Sequence, residues 1–292
     1  MNHPDYNSPS ELKTFLEQNG MAMQKRFGQN FMVNPSARSK IACCLDLHAG
    51  ERLWEVGPGL GCMTEEFLSR GASVTAFEID RGFVSALHRF FSQQEQDGSL
   101  FIAEGDVLRL WKDEIRMHGQ PSKIAGNLPY NIAATFIADT ITENVLFDRC
   151  VFTVQKEVAQ RMAARPGSAG YSAFSVLCQY GYTVKTGISL GPGSFWPRPA
   201  VVSQAVIMEK KDRDSSPCSS RRFAHLVHTL FSARRKTVLN NMKPLLSGET
   251  QPEAVLEKCG IKTNERAENI SVETFVLLDS VLSETAKTDR LS

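Results

Sequence analysis

No stretch of this 292-residue chain approaches the ~18 consecutive apolar residues that a membrane-spanning helix needs. Its first residues, MNHPDYNSPSELK, contain neither a basic leader nor an apolar h-region. A signal peptide is therefore not expected, and the chain reads as a soluble, cytoplasmic protein with no membrane partner. Disulfide and zinc frameworks are missing too. Cys43, Cys44, Cys62, Cys150, Cys178, Cys218 and Cys259 make an odd count with no CxxC spacing, which fits a reducing compartment. Cys44 and Cys150 sit in apolar stretches and read as small core residues. A charge excess is also lacking: 33 basic against 32 acidic side chains leave a net charge of +1. The parts before and after residue 204 are each close to balance, so any nucleic-acid surface must come from local clusters. No internal repeat is present.

What is present is the composition of a soluble globular protein, 42% hydrophobic and 22% charged, long enough for a large domain and a smaller one. The middle of the chain alternates short apolar runs with amphipathic ones. RLWEVG (52–57), SVTAFEI (73–79), LFIAEGD (100–106), KIAGN (123–127) and RCVFTVQ (149–155) read as strands. Cys62–Arg70 and about 82–91 read as helices between them. This alternation predicts an α/β fold with an open, mostly parallel sheet covered on both faces. AVVSQAVIME (200–209) is a late strand, expected to join antiparallel. KKDRDSSPCSSRR (210–222) is polar and Ser/Pro-rich and marks a linker. Beyond it the apolar spacing becomes helical, predicting a small all-helical domain over 223–292. Residues 1–23 read as a loosely ordered N-terminal extension, leaving 24–209 as the main domain.

EVGPGLG (55–61) follows the first strand and opens a helix. Gly57, Gly59 and Gly61 let the backbone turn sharply and approach a ligand without Cβ clashes. A plain strand-to-helix turn would use the same residues. A dinucleotide fingerprint would place glycine where Cys62 stands, and no lysine follows as in a phosphate-binding P-loop. The acids at the next strand ends decide between these readings. Glu78 closes the second strand, where a carboxylate accepts both hydroxyl protons of a ribose. Asp106 closes the third, placed for the amino group of an adenine, with Val107 beside it to cover the ring. Each acid alone is more often a solvated strand end. Together they describe a site for an adenosine without phosphates, which S-adenosyl-L-methionine satisfies.

The fourth strand ends in GNLPYN (126–131). A methyl acceptor must offer its lone pair in line with the departing sulfur, and the N6 amine of adenine is a poor nucleophile. Two acceptors for its hydrogens, the Asn127 side-chain oxygen and the Leu128 carbonyl, would favour a pyramidal nitrogen. Pro129 would fix the backbone, and Tyr130 would stack on an adenine taken out of its own stack. Such a site works by orientation and hydrogen bonding rather than by a strong base. A simple Asn-Pro turn is the bland alternative, and it leaves Tyr130 unexplained.

With these residues in view, the chain resembles the ribosomal small-subunit RNA adenine N6,N6-dimethyltransferases of the KsgA/RsmA type, from about Gln24 to Leu282. The resemblance is carried by KRFGQNF (25–31), EVGPGLG (55–61), FEID (77–80), EGDVL (104–108) and GNLPYNI (126–132). Further motifs are VQKEVAQRM (154–162), FWPRPAVVS (195–203), FSARRKT (231–237) and RAENISVETF (266–275). It implies a Rossmann-like, class I S-adenosylmethionine-dependent methyltransferase sheet. The implied reaction is dimethylation of two adjacent adenines near the 3′ end of small-subunit (16S) rRNA, late in assembly. The implied partner is that rRNA within an immature ribosomal subunit, met by a monomer.

Carried over by position, Gln29, Asn30 and Met32 belong to a motif closing over the methionine end of the cofactor. Gly57, Gly59, Gly61, Glu78, Ile79, Asp106, Val107 and Asn127 form its cofactor site. Asn127, Leu128, Pro129 and Tyr130 are its catalytic motif, and Phe195 is the aromatic that would pack against the target base opposite Tyr130. Met32, Trp54 and Ala133 depart from the usual residues, and AGYSAFSV (169–176) lacks a glycine after its tyrosine.

Three basic clusters are candidate phosphate contacts: Lys25 with Arg26, Arg221 with Arg222, and Arg234, Arg235 and Lys236. Each is equally a solvated face, and the last is favoured because it lies in a matched motif. His225 and His228 share a helix face but have no third ligand in view, so no metal is expected. Two other readings stand beside the small-subunit enzyme. One is a large-subunit rRNA adenine methyltransferase of the antibiotic-resistance type; the other is a non-catalytic ribosome assembly factor. The long helical end and RAENISVETF favour the small-subunit class, and the intact glycine loop and Asn127 disfavour a factor that has lost catalysis.

Overall fold

The computed structural model describes residues 3–23, 29–128, 130–212, 220–246 and 250–288. Seven strands form one sheet in the order β4-β3-β2-β5-β6-β9-β7. They are β2 (Arg52–Val56), β3 (Ser73–Glu78), β4 (Leu100–Glu104), β5 (Lys123–Asn127), β6 (Arg149–Gln155), β7 (Tyr182–Leu190) and β9 (Ser203–Lys210). β4, β3, β2, β5 and β6 pair in parallel, and β9 runs antiparallel to β6. A separate two-residue pair joins β1 (Phe31–Met32) to β8 (Phe195–Trp196).

The near-continuous apolar runs of the central strands suit a sheet covered on both faces. From Leu53 to Val56 every residue of β2 is buried. Trp54, the unusual residue of that strand, is core: its ring lies 4.9 Å from Phe77 and 5.6 Å from Phe147. Between strands run α2 (Pro35–Cys44), α3 (Cys62–Ser69), α4 (Arg81–Phe90), α5 (Ser92–Gln96), α6 (Val107–His118), α7 (Tyr130–Thr142) and α8 (Lys156–Met162). Their starts are written into the sequence as caps. The Asn34, Asp80 and Asp106 side chains accept backbone N–H groups of the first turns of α2, α4 and α6. The strand order reverses direction of growth at β2 and β5, the switch point where open parallel sheets bind ligands.

One expectation needs correction, and one strand has no expectation behind it. The N-terminal segment is not loose: residues 9–18 form α1 (Pro9–Gln18), capped by Ser8, with Leu12 and Leu16 buried. Tyr6 is 3% exposed. β7, in contrast, had no counterpart in the sequence reading. Its residues are mostly exposed or half-buried, so no apolar alternation announces it.

The chain divides into two compact units. The first comprises residues 1–136, 147–159 and 185–210, and the second 137–146, 160–184 and 211–292. The second unit thus gathers two stretches that the sequence reading places in the main domain. It carries α9 (Ala173–Gly181), α10 (Ser220–Phe231), α11 (Val238–Met242), α12 (Pro252–Lys258) and α13 (Val272–Thr288). Within it Tyr180 stacks on Phe223 at 3.8 Å, and the Tyr171 hydroxyl donates to the Ile270 carbonyl. α10 begins three residues before the expected linker end, so Arg221 and Arg222 are helical. Among the described residues no helix is long and apolar enough to cross a membrane.

Candidate active site

A cavity of about 320 Å³ opens inside the first unit at the carboxyl ends of β2, β3 and β5. The glycine loop after β2 forms one wall. Gly57, Gly59 and Gly61 all have positive φ, of 73°, 60° and 92°. At Gly61 a Cβ would stand 2.4 Å from the Phe91 ring, so glycine is required there by packing as well as by backbone. Gly57 and Gly59 line the cavity; Gly61 is not among the described lining residues. Its place is the start of α3.

Glu78, at the end of β3, is 4% exposed and lines the cavity. One carboxylate oxygen accepts the Gly59 N–H at 3.0 Å and the other accepts the Asp80 N–H at 2.9 Å. Burial pushes its pKa up to about 7 against the pull of those two donors. Glu55, in the middle of β2, is a lining residue that the sequence reading did not select. Burial raises its pKa to about 8; the Thr64 hydroxyl, donating at 2.6 Å, opposes the rise and the Glu78 carboxylate adds to it. A charged residue inside the apolar run RLWEV was the signal that could have found it.

Asp106 accepts the Leu108 N–H at 3.0 Å with one oxygen, capping α6 from the cavity wall. Val107 is buried and Ile79 is 43% exposed, and both line the same space. Asn127 ends β5, and its side-chain nitrogen donates to the Asn30 carbonyl at 2.9 Å. Leu128 donates its N–H to the Thr153 carbonyl at 3.2 Å. Gln29 donates its amide to Asp80 at 3.2 Å, and Met32 is buried against the cavity. Eleven candidate residues therefore converge on one space: Gln29, Asn30, Met32, Gly57, Gly59, Glu78, Ile79, Asp106, Val107, Asn127 and Leu128.

The others do not join them. Pro129, Lys25, Arg26 and the Tyr130 side chain lie outside the described residues. Phe195 is 2% exposed, pairs in register with Met32, and is a core residue rather than one of the described lining residues. The physical reason is that Met32 itself forms the wall and Phe195 packs into the core beside it.

The basic clusters of the second unit are partly spoken for. Arg222 donates to both carboxylate oxygens of Asp279, at 2.9 and 2.6 Å, and Asp279 is 1% exposed. Arg221 pairs with Glu143, and Arg234 with Glu268 at 3.3 Å. Arg235 and Lys236 are exposed. Among the described residues no group of three or more His, Cys, Asp or Glu side chains is placed to hold a metal ion.

Comparison with known proteins identifies the family and the fold. The family model for ribosomal RNA adenine dimethylase matches residues 20–284. A protein of Treponema denticola named Ribosomal RNA small subunit methyltransferase A is 43% identical over 282 residues, covering 96% of each chain. Its namesake in Borreliella burgdorferi is 37% identical over 281 residues, covering 96% of this chain and 95% of that one. Among solved structures, a dimethyladenosine transferase from Plasmodium falciparum superimposes with a TM-score of 0.73 at 22% identity, covering 87% of this chain and 97% of that one. The 23S rRNA methyltransferase ErmE does so at 0.62 and 19% identity, covering 86% and 98%. These two likenesses are of fold.

Proposed function

Because the chain belongs to the ribosomal RNA adenine dimethylase family, we infer that it dimethylates N6 of two adjacent adenines of small-subunit (16S) rRNA, with S-adenosyl-L-methionine as cofactor. The cavity fits that cofactor in three respects. About 320 Å³ lies within the range of small-molecule sites. Gly57, at φ 73°, turns the loop along the cavity wall with its missing Cβ facing the Asn127 carbonyl, which leaves backbone rather than side chain on that wall. The donor set is carboxylate and amide rather than the basic cradle a phosphate needs. When bound, the cofactor supplies an electrophilic methyl group.

The chain's own residues bind and orient. Each Glu78 oxygen keeps a lone pair beyond the backbone N–H it accepts, leaving room for the ribose hydroxyls. Asp106 uses one oxygen on Leu108, and the other serves the adenine amino group. Ile79 and Val107 cover the ring. Gln29, Asn30 and Met32 close the methionine end.

One observation carries the catalytic reading. The bond from the Asn127 side-chain nitrogen to the Asn30 carbonyl supports the assignment of the other end of that amide to the substrate. The oxygen is the free end, and it accepts one N6 hydrogen while the Leu128 carbonyl accepts the other. Tyr130 stacks on the extruded base. Phe195, the register partner of Met32, packs in the core beside that wall residue. Residues 24–209 carry catalysis and 223–292 contact rRNA, with the exposed Arg235 and Lys236 among the contacts. The substrate is the rRNA of an immature subunit, met in the cytoplasm by a monomer.

The test is methyl transfer from labelled S-adenosyl-L-methionine to unmethylated small subunits, with Asn127→Ala alongside and the nucleoside identified by mass. Dimethyladenosine made by wild type and not by the variant supports the assignment. Label confined to large-subunit rRNA would overturn the substrate.

A further inference from the structure

Residues 3–21 of the first unit touch the glycine loop, α3 and α4, and reach the cavity strand β1 through Arg38. The Tyr6 hydroxyl donates to the Leu60 carbonyl at 2.7 Å, across 54 residues of sequence. Leu60 lies between Gly59 and Gly61, so the bond is made to the middle of the loop. His3 stacks on the Tyr6 ring at 4.5 Å and reaches Glu65 in the first turn of α3. Asn7 accepts from one nitrogen of the buried Arg38, whose other nitrogen donates to the Met32 carbonyl at 2.8 Å. Asn19 accepts from Arg89 of α4, and Met21 packs near Gly82 at its start.

Other described bonds tie the glycine loop to the end of β3 and to itself. Gly57 donates to the Phe77 carbonyl, Gly59 to Glu78, and Gly61 to Pro58. Three left-handed glycines make the loop pliable, because glycine gives up more backbone freedom than any other residue when it is fixed. The Gly59 bond joins the loop to the carboxylate that takes the ribose. A displacement of Leu60 is therefore passed through Gly59 to that acid. Burial keeps the Tyr6 phenol protonated far above its ordinary range, so it stays a donor at any working pH.

From this arrangement we propose that Tyr6 is a positioning residue for the cofactor site, with residues 3–21 bracing the glycine loop and Asn7 fixing Arg38 under Met32. The inference rests on the reading of this cavity as the S-adenosyl-L-methionine site. It places the N-terminal segment in cofactor binding rather than in RNA binding.

The experiment measures S-adenosyl-L-methionine affinity by calorimetry, and steady-state methylation of small subunits, for full-length wild type, Tyr6→Phe and Asn7→Ala. Tyr6→Phe keeps the ring and removes one hydrogen bond, so a three- to tenfold rise in the cofactor Kd and KM is expected. The kcat and the KM for subunits should stay within twofold. Asn7→Ala is an exposed change that keeps the fold, and it should weaken the cofactor about two- to fivefold. Failure of wild type to bind the cofactor would overturn the cavity assignment itself. Wild-type affinity in both variants, or an effect on the subunit KM instead, would overturn the brace.

Discussion

The side-chain nitrogen of Asn127 donates to the main-chain carbonyl of Asn30 at 2.9 Å, across 97 residues of sequence. This bond orients the amide whose oxygen is assigned to the acceptor nitrogen. Asn127→Asp places a second acceptor against the Asn30 carbonyl while keeping size and shape. Loss of a preorganised hydrogen-bond partner at a reacting centre lowers turnover by about 100-fold or more. Single-turnover methylation should show that loss, with subunit binding by filtration unchanged within threefold. A variant retaining a tenth of wild-type turnover would remove Asn127 from the chemistry.

Glu55 makes stability depend on pH. Its folded-state pKa of about 8 stands above the unfolded value near 4.5. The folded chain therefore holds a proton that the unfolded chain has released through the window between them. The share of stability that comes from the neutral Glu55 is full below about pH 4.5 and is lost as pH rises through 8. Glu55→Gln keeps an acceptor for Thr64 and removes the ionisation. It should melt like wild type at pH 5 and be more stable at pH 9 by on the order of 2–4 kcal/mol. Parallel melting curves at pH 5, 7 and 9 would expose the opposite trend.

Gly61 and Gly98 separate backbone strain from packing. Both have positive φ, 92° and 79°, but a Cβ at Gly98 meets nothing within 4 Å while one at Gly61 meets Phe91 at 2.4 Å. Gly98→Ala should lose about 1 kcal/mol for the left-handed backbone alone. Gly61→Ala adds overpacking against Phe91 and should lose about 3 kcal/mol. Urea titrations of the two variants give the comparison, and equal losses would mean that Phe91 yields freely.

The parallel sheet, and most of the candidate residues that line the cavity, are readable because the relevant signals are local. A buried parallel strand is a short apolar run, and a crossover ends it at a predictable acid or turn; hence Glu78 and Asn127 stand at strand ends, and Asp106 stands two residues past β4 as the cap of α6. What escaped depends on pairings distant in sequence. Tyr6 is anchored by Leu60, and nothing in the polar segment around it announces a buried ring. Glu55 looks like part of a motif, and its raised pKa comes first from burial between the layers of the fold, with the neighbouring strand's Glu78 adding to it. The depth of Phe195 follows from pairing with β1. β7 is an exposed Thr- and Lys-containing strand with no apolar stripe to give it away.

Arg222 illustrates the same limit and can be tested against its neighbours. By sequence it is one of two adjacent arginines, indistinguishable from Arg221 as a phosphate contact. In the fold two of its three nitrogens donate to Asp279, which is 1% exposed, and the third donates to the Ser283 hydroxyl. Arg222→Ala leaves that carboxylate buried and unpaired, so a loss of about 2–4 kcal/mol is expected, with little change in the salt dependence of rRNA binding. Arg235 and Lys236 are exposed and should behave in the reverse way. Each alanine there should leave the melting temperature within a degree or two. It should also reduce the slope of log K against log salt by about 1, as expected when one phosphate contact is removed. Binding to small-subunit rRNA at four salt concentrations, beside thermal melts, measures both quantities. A steeper loss of RNA affinity for Arg222→Ala than for Lys236→Ala, at unchanged stability, would return Arg222 to the RNA surface and leave Asp279 without a structural role.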